Sequence, residues 1–226
     1  MKTSTYIKNH WQLLLIVVCI FLFWNMWIIL PLKILVVFLH EAAHASAALL
    51  SGGKVENITL SIHEAGTTTT RGGNFFLIAS AGYIGSLLFG VFLFVIALRL
   101  HIDRLVVGVL GALMLLIAAI YMRETFALGF TILMGVLLLA AAKFLAIKVN
   151  DLILRVIGLA SMIYVPYDIV TDTLLDPSQM SDARIIAMTY GGPTIFWGLL
   201  WLAISLATIA AVIRYGLKGR SNLALK

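Results

Sequence analysis

The sequence predicts an all-α membrane protein of about seven transmembrane helices, with a short interfacial β-hairpin after the helix that carries an HExxH motif. Three observations support this. Hydrophobic residues make up 62% of the 226 and charged residues only 12%, against roughly 25% charged in a soluble domain. Mean hydropathy is +1.06, more apolar surface than a water-soluble fold can hide. The apolar residues also fall into segments near the roughly 20 residues that cross a bilayer. A short alternating, threonine-rich stretch separates two of these segments.

The spans are predicted at 11–30, 32–50, 74–98, 105–122, 125–142, 152–175 and 193–214, within a single polytopic domain, residues 1–226. Residues 11–50 are almost continuously apolar, punctuated near the middle by Asn25, Pro31 and Lys33. At ~1.5 Å per residue such a run is about twice the membrane thickness, so a tight hairpin near Pro31 is expected. Lys2 and Lys8 precede the first run as in a signal peptide, but no small-residue cleavage site follows, so it should stay as an anchor. Residues 54–62 (KVENITLSI) alternate and 66–72 (GTTTTRG) are rich in threonine, which together predict a β-hairpin over about 54–72. Gly82, Gly85, Ser86 and Gly90 form a small-residue stripe that lets helices approach closely. Gly191-Gly192-Pro193 reads as a turn and helix start. The tryptophans Trp11, Trp24, Trp27, Trp197 and Trp201 suit membrane-interface anchors. No internal repeat, soluble accessory domain or flexible linker is visible.

The single cysteine, Cys19, lies in an apolar run and excludes an intrachain disulfide or a CxxC site. The net charge of +6 comes from sixteen Lys and Arg scattered between apolar runs. No basic stretch is broad enough to follow a phosphate backbone, so the lipid bilayer and not nucleic acid is the expected partner of this charge. With seven spans, Lys2, Lys8, Lys54, Arg71, Arg123 and Arg184 collect on one side. The remaining ten, from Lys33 to Arg220 and Lys226, collect on the other. The positive-inside rule then puts the C-terminus in the cytoplasm, and the plasma (inner) membrane is the expected location.

The second span contains FLHEAAHASAALL, with His40, Glu41 and His44. Positions four apart stack on one face of a helix, so both imidazoles can reach one metal ion. Glu41 stands about 100° round the helix, better placed to reach a metal-bound water than to be a ligand. Two neutral imidazoles holding Zn²⁺, with a glutamate to take a proton from the activated water, are the parts of a zinc hydrolase. Chance would produce roughly 0.002 such motifs in a chain of this composition. Three ionisable side chains within five positions of a span would each be costly in hydrocarbon, by about 2.5 kcal/mol or more if charged and unpaired. One bound Zn²⁺ per chain removes the anomaly.

An HExxH motif inside a transmembrane helix of a small polytopic chain resembles the site-2 protease family of intramembrane zinc metalloproteases, and within it the compact branch without a PDZ domain. The matching stretches are VVFLHEAAHASAALLSGGKV, GTTTTRGG with AGYIGSLLFG, then YVPYDIVTDT and SDA, touching residues 36–90 and 164–183. The Asp-Gly pair usual in the larger family's second signature is absent, and Tyr-Asp-Ile stands in its place. The resemblance implies an endopeptidase that cuts membrane-spanning or membrane-proximal segments of another protein.

Zinc with two histidines needs a further protein ligand. Asp168 and Asp172 are the aspartates well inside a predicted span, four apart on one helical face. Asp168 is expected as the third ligand because its depth is closer to that of His44 and because Pro166 can bend the helix to aim it. Asp172 is the alternative, or else a partner that orients a ligand histidine. The hairpin edge could pair with an extended substrate backbone, or could simply connect two helices. His63-Glu64 imitates the start of the motif, but Thr67 stands where a second histidine would be needed. Two other functions use the same residues. One is a metal or proton transporter whose path runs through the His/Asp cluster, although no inverted repeat supports it. The other is a catalytically idle relative that binds membrane proteins, which the intact Glu41 argues against.

Overall fold

The computed structural model describes residues 3–218 and 221–222, with side chains from residue 7 onward. Lys2, Arg220 and Lys226 of the charge count lie outside them. In chain order the elements are α1 (Thr3–Phe23), α2 (Leu30–Leu50), strands β1 (Lys54–Leu60) and β2 (Gly66–Arg71), α3 (Phe75–Arg99), α4 (Asp103–Tyr121), α5 (Thr125–Phe144), α6 (Ile147–Ile169), α7 (Asp182–Tyr190) and α8 (Thr194–Ala211). A 3₁₀ turn, Trp27–Ile29, leads into α2, and π-helical turns extend α6 through Leu175 and α8 through Gly216.

Among the described residues, six helical segments are long and apolar enough to cross a membrane: Trp27–Leu50, Phe75–Arg99, Asp103–Tyr121, Thr125–Phe144, Ile147–Leu175 and Thr194–Gly216. The segment expected at 11–30 corresponds to α1, whose apolar part, Ile7–Phe23, is shorter than these. The chain breaks between Phe23 and Leu30, earlier than the expected turn near Pro31. Pro31 instead sits in the first turn of α2, where its missing N–H leaves no bond unmade.

Three spans separate α2 from α6, so the two run parallel and bring their C-terminal halves to the same end. Burial of apolar surface does little to hold helices together in lipid, where close contact between small residues does more. The small-residue stripe of α3 supplies that contact on two sides. A Cβ at Gly85 would lie 2.6 Å from the Ala43 Cβ on α2, and one at Gly90 would lie 3.0 Å from the Gly158 carbonyl on α6. Ser161 on α6 also donates to the Ser86 carbonyl on α3 at 2.9 Å. Asn74 caps α3 by accepting from the Leu77 N–H at 3.1 Å. The outer helices α4, α5 and α8 expose leucine-rich faces, including Leu113, Leu116, Leu133, Leu137, Leu199 and Leu206, suited to lipid.

β1 and β2 pair antiparallel from Lys54↔Arg71 to Leu60↔Gly66, with an irregularity between Val55 and Asn57. The hairpin does not project from the end of α2. It runs back along that helix, with Thr68 beside Glu41 and the tip residue Glu64 beside Lys33. Ile58 and Leu60 are buried in the same apolar cluster as Val36, Val37 and Phe38 of α2. Strand pairing satisfies the facing half of each strand's backbone groups and leaves each outer edge unpaired, since the sheet has two strands.

Candidate active site

α2 delivers His40, Glu41 and His44 to a cavity of about 590 Å³. The hairpin forms one wall of it, and α3, the end of α6 and the start of α7 form the others. The Nε2 atoms of His40 and His44 lie 3.1 Å apart. His44 Nδ1 donates to the Ile78 carbonyl at 2.6 Å, which fixes the tautomer and leaves the Nε2 lone pair facing His40.

The carboxylate that meets the two imidazoles belongs to Asp182. Its Oδ2 lies 3.3 Å from His40 Nε2 and its Oδ1 3.3 Å from His44 Nε2. One ligand atom from each of the three residues can be chosen so that all lie within 4.8 Å of one another. The Oδ2 atom is buried and accepts no hydrogen bond.

Gly82 leaves the space between these groups open. A Cβ built on it would stand 2.1 Å from Asp182 Oδ2, 2.4 Å from His40 Nε2 and 2.5 Å from His44 Nε2. No side chain at this position could share the space with the three donors, whose separations of 3.1 Å between the imidazole nitrogens and 3.3 Å from each to an Asp182 oxygen are close to the ~3.3–3.6 Å edge of a tetrahedron with ligands about 2.0–2.2 Å from zinc. The donor set, the orphaned carboxylate oxygen and this cradle all fit a divalent metal ion.

Asp168 and Asp172, the two aspartates expected to supply the third ligand, both line the cavity. Neither joins the three-residue cluster. Asp168 takes a hydrogen bond from Tyr164, and Asp172 Oδ1 accepts from the Thr171 hydroxyl at 2.7 Å. Asp182 comes instead from α7, a nine-residue helix beyond the sixth expected span. Ser181 caps that helix, its side chain accepting from the Arg184 N–H at 3.3 Å. Hydroxyls of Tyr83, Thr173 and Ser181 link in a chain, at 3.3 Å and 3.0 Å, that ties α3 and the end of α6 to the start of α7. Ala183 and Ile186 are fully buried and seat α7 in the cluster formed with α3 and α8. The sequence signal for Asp182 was Ser181-Asp182-Ala183, a cap residue followed by an acid, but it lies outside every apolar span.

Glu41 is held separately from the metal cluster. The Thr68 hydroxyl of β2 lies 2.7 Å from Glu41 Oε2 and 3.0 Å from the Glu41 carbonyl oxygen. A Cβ at Gly66 would come within 2.6 Å of Glu41 Oε1, so glycine there leaves room for the carboxylate. Thr68, Gly66 and Tyr83 had not stood out in the sequence as parts of a site.

A family model described as Peptidase M50B-like matches residues 13–212. Comparison with curated proteins and with solved structures gave no match.

Proposed function

The chain belongs to the peptidase M50B-like family, and we propose that it is a zinc endopeptidase cutting a membrane-spanning or membrane-proximal segment of another protein. Convergence of His40, His44 and Asp182, packed so closely against Gly82 that no side chain fits there, carries this reading. In it, these three residues hold one Zn²⁺ and Glu41 is the general base. This replaces the expected Asp168 with Asp182 as third ligand and leaves Asp168 and Asp172 to shape the cavity. Zinc bound there supplies Lewis acidity, which acidifies water and polarises a carbonyl oxygen.

The protein's own groups do the rest. The Ile78 carbonyl holds His44 in the tautomer that presents Nε2. Asp182 contributes negative charge, offsetting part of the ion's charge. Glu41 takes a proton from the attacking water on a carboxylate oxygen and returns it to the leaving amine. Thr68 orients Oε2 and Gly66 leaves Oε1 room to move. The exposed side of β2 offers extended backbone along which an unwound substrate can align, as proteolysis requires because helical peptide bonds are shielded. We place the C-terminus in the cytoplasm, in a plasma (inner) membrane: Lys8, which a seven-span count puts on the opposite side, lies beside the C-terminal residues, its carbonyl accepting from the Asn222 side chain at 2.7 Å, and so joins the more basic side.

Metal analysis of purified protein beside its Glu41→Gln variant, with cleavage of candidate single-span substrates in detergent, tests the reading. Zinc retained with cleavage lost is the expected result. Zinc flux in vesicles without cleavage, abolished by His40→Ala, would favour a transporter instead.

A further inference from the structure

Lys33 is a buried cation in the first half of α2, its side chain 8% exposed. Its Nζ donates to both carboxylate oxygens of Glu64, at 3.0 Å and 2.9 Å. The same ammonium lies 4.9 Å from the centroid of the Trp24 ring, a cation–π distance. Glu64 is the tip of the hairpin and, among the described residues, the only non-glycine with positive φ, at 62°. Such a conformation is uncommon for glutamate and persists where surroundings hold it. The turn closes tightly, with the Ser61 N–H donating to the Ala65 carbonyl at 2.7 Å.

The tip also forms a partition. His63 and Glu64 line the catalytic cavity on one side. On the other they line a second cavity of about 350 Å³, with Trp24, Trp27, Leu30 and Lys33. One helix therefore grips the hairpin twice, at its tip through Lys33 and, eight residues on, through Glu41 with Thr68 and Gly66. The two grips are ~12 Å apart along the helix axis. Ile58 and Leu60 hold the body of β1 against α2, so without Lys33 it is the tip beyond Leu60 that could shift, and β2, which runs on from the tip to Thr68, would carry Glu41 with it.

We propose that Lys33 is a positioning residue for the reaction: through Glu64 it fixes the hairpin tip, and through the hairpin it sets the position of Glu41. The role in catalysis rests on the peptidase reading above.

The test compares Lys33→Met, Glu64→Gln and the double variant. Glu64→Gln strands the buried Lys33 ammonium and destabilises the protein for that reason alone, whereas Lys33→Met leaves Glu64, 33% exposed, without its cation. The double variant strands none, keeps the length of the glutamate and all but one atom of the lysine, and removes the tether together with the Trp24 cation–π contact. It should retain zinc while kcat falls about tenfold to a hundredfold, the scale for a catalytic group misplaced by ~1 Å. KM should change by less than about threefold, since the lost interaction concerns the base more than substrate binding. Amide exchange at Ser61 and Glu64 should quicken by about tenfold or more as the tip opens locally. Wild-type kcat in the double variant would mean that the pair serves folding only and would overturn the proposal. Unchanged tip exchange beside intact wild-type cleavage would sink the clamp alone. A wild-type protein that cleaves nothing would sink the peptidase reading, and with it the catalytic role of Lys33.

Discussion

Replacing Gly82 by alanine tests the metal centre without altering any ligand. The added methyl carbon would stand 2.1–2.5 Å from Asp182 Oδ2 and the two histidine Nε2 atoms. Real Cβ contacts are essentially never under 3.0 Å, so these atoms must retreat by 0.5–0.9 Å or the two helices must part. Retreat pulls the three donors out of the arrangement in which one ion could stand about 2.0–2.2 Å from each of them. Zinc content should therefore fall from about one per chain to below about 0.1. Cleavage should fall with it. Overpacking should cost the metal-free fold only about 1–3 kcal/mol, so the variant should still be recovered folded. Elemental analysis of detergent-purified protein, run beside a thermal melt, measures both effects. Gly129→Ala on α5 is the control, because a Cβ there meets nothing within 4 Å; it should keep its zinc. Stoichiometric zinc in folded Gly82→Ala would place the ion elsewhere and refute the argument.

Other outcomes follow from the same geometry. His40→Ala or His44→Ala should lose the metal, and stoichiometric zinc surviving both together would end the metallopeptidase reading. Asp182→Asn should cost most of the zinc, whereas Asp168→Asn should leave metal content near wild type; the reverse result in elemental analysis would restore Asp168 as the ligand. Thr68→Val, which removes the hydroxyl beside Glu41 Oε2, should retain zinc and lower kcat by about tenfold or more, read by single-turnover cleavage. Gly90→Val should destabilise the α3–α6 contact, where a Cβ would already lie 2.9 Å from Ser161 Cβ. A loss of about 1–3 kcal/mol is expected in a detergent melt, and an unchanged midpoint would contradict the packing assigned to that stripe.

The sequence by itself determined most of the membrane architecture, because length and apolarity are local properties and a bilayer imposes one length on every span. It also determined His40, Glu41 and His44 as a constellation, since a helix converts a spacing of four into a shared face. The hairpin was legible from its alternation. What lay beyond reach depended on contacts between residues distant in sequence. Depth along a predicted span favoured Asp168, but α7 folds back after α6 and inserts Asp182 between the two imidazoles. No local pattern records where a nine-residue helix outside the apolar spans will dock. Gly82 belonged to a stripe readable as packing, yet only the tertiary structure showed that its missing side chain admits the three donor atoms. Glu64, which in the sequence only imitates the start of the motif, meets Lys33 because the hairpin turns back along α2. Periodicity reports which face a residue occupies; what stands opposite that face is decided by tertiary packing.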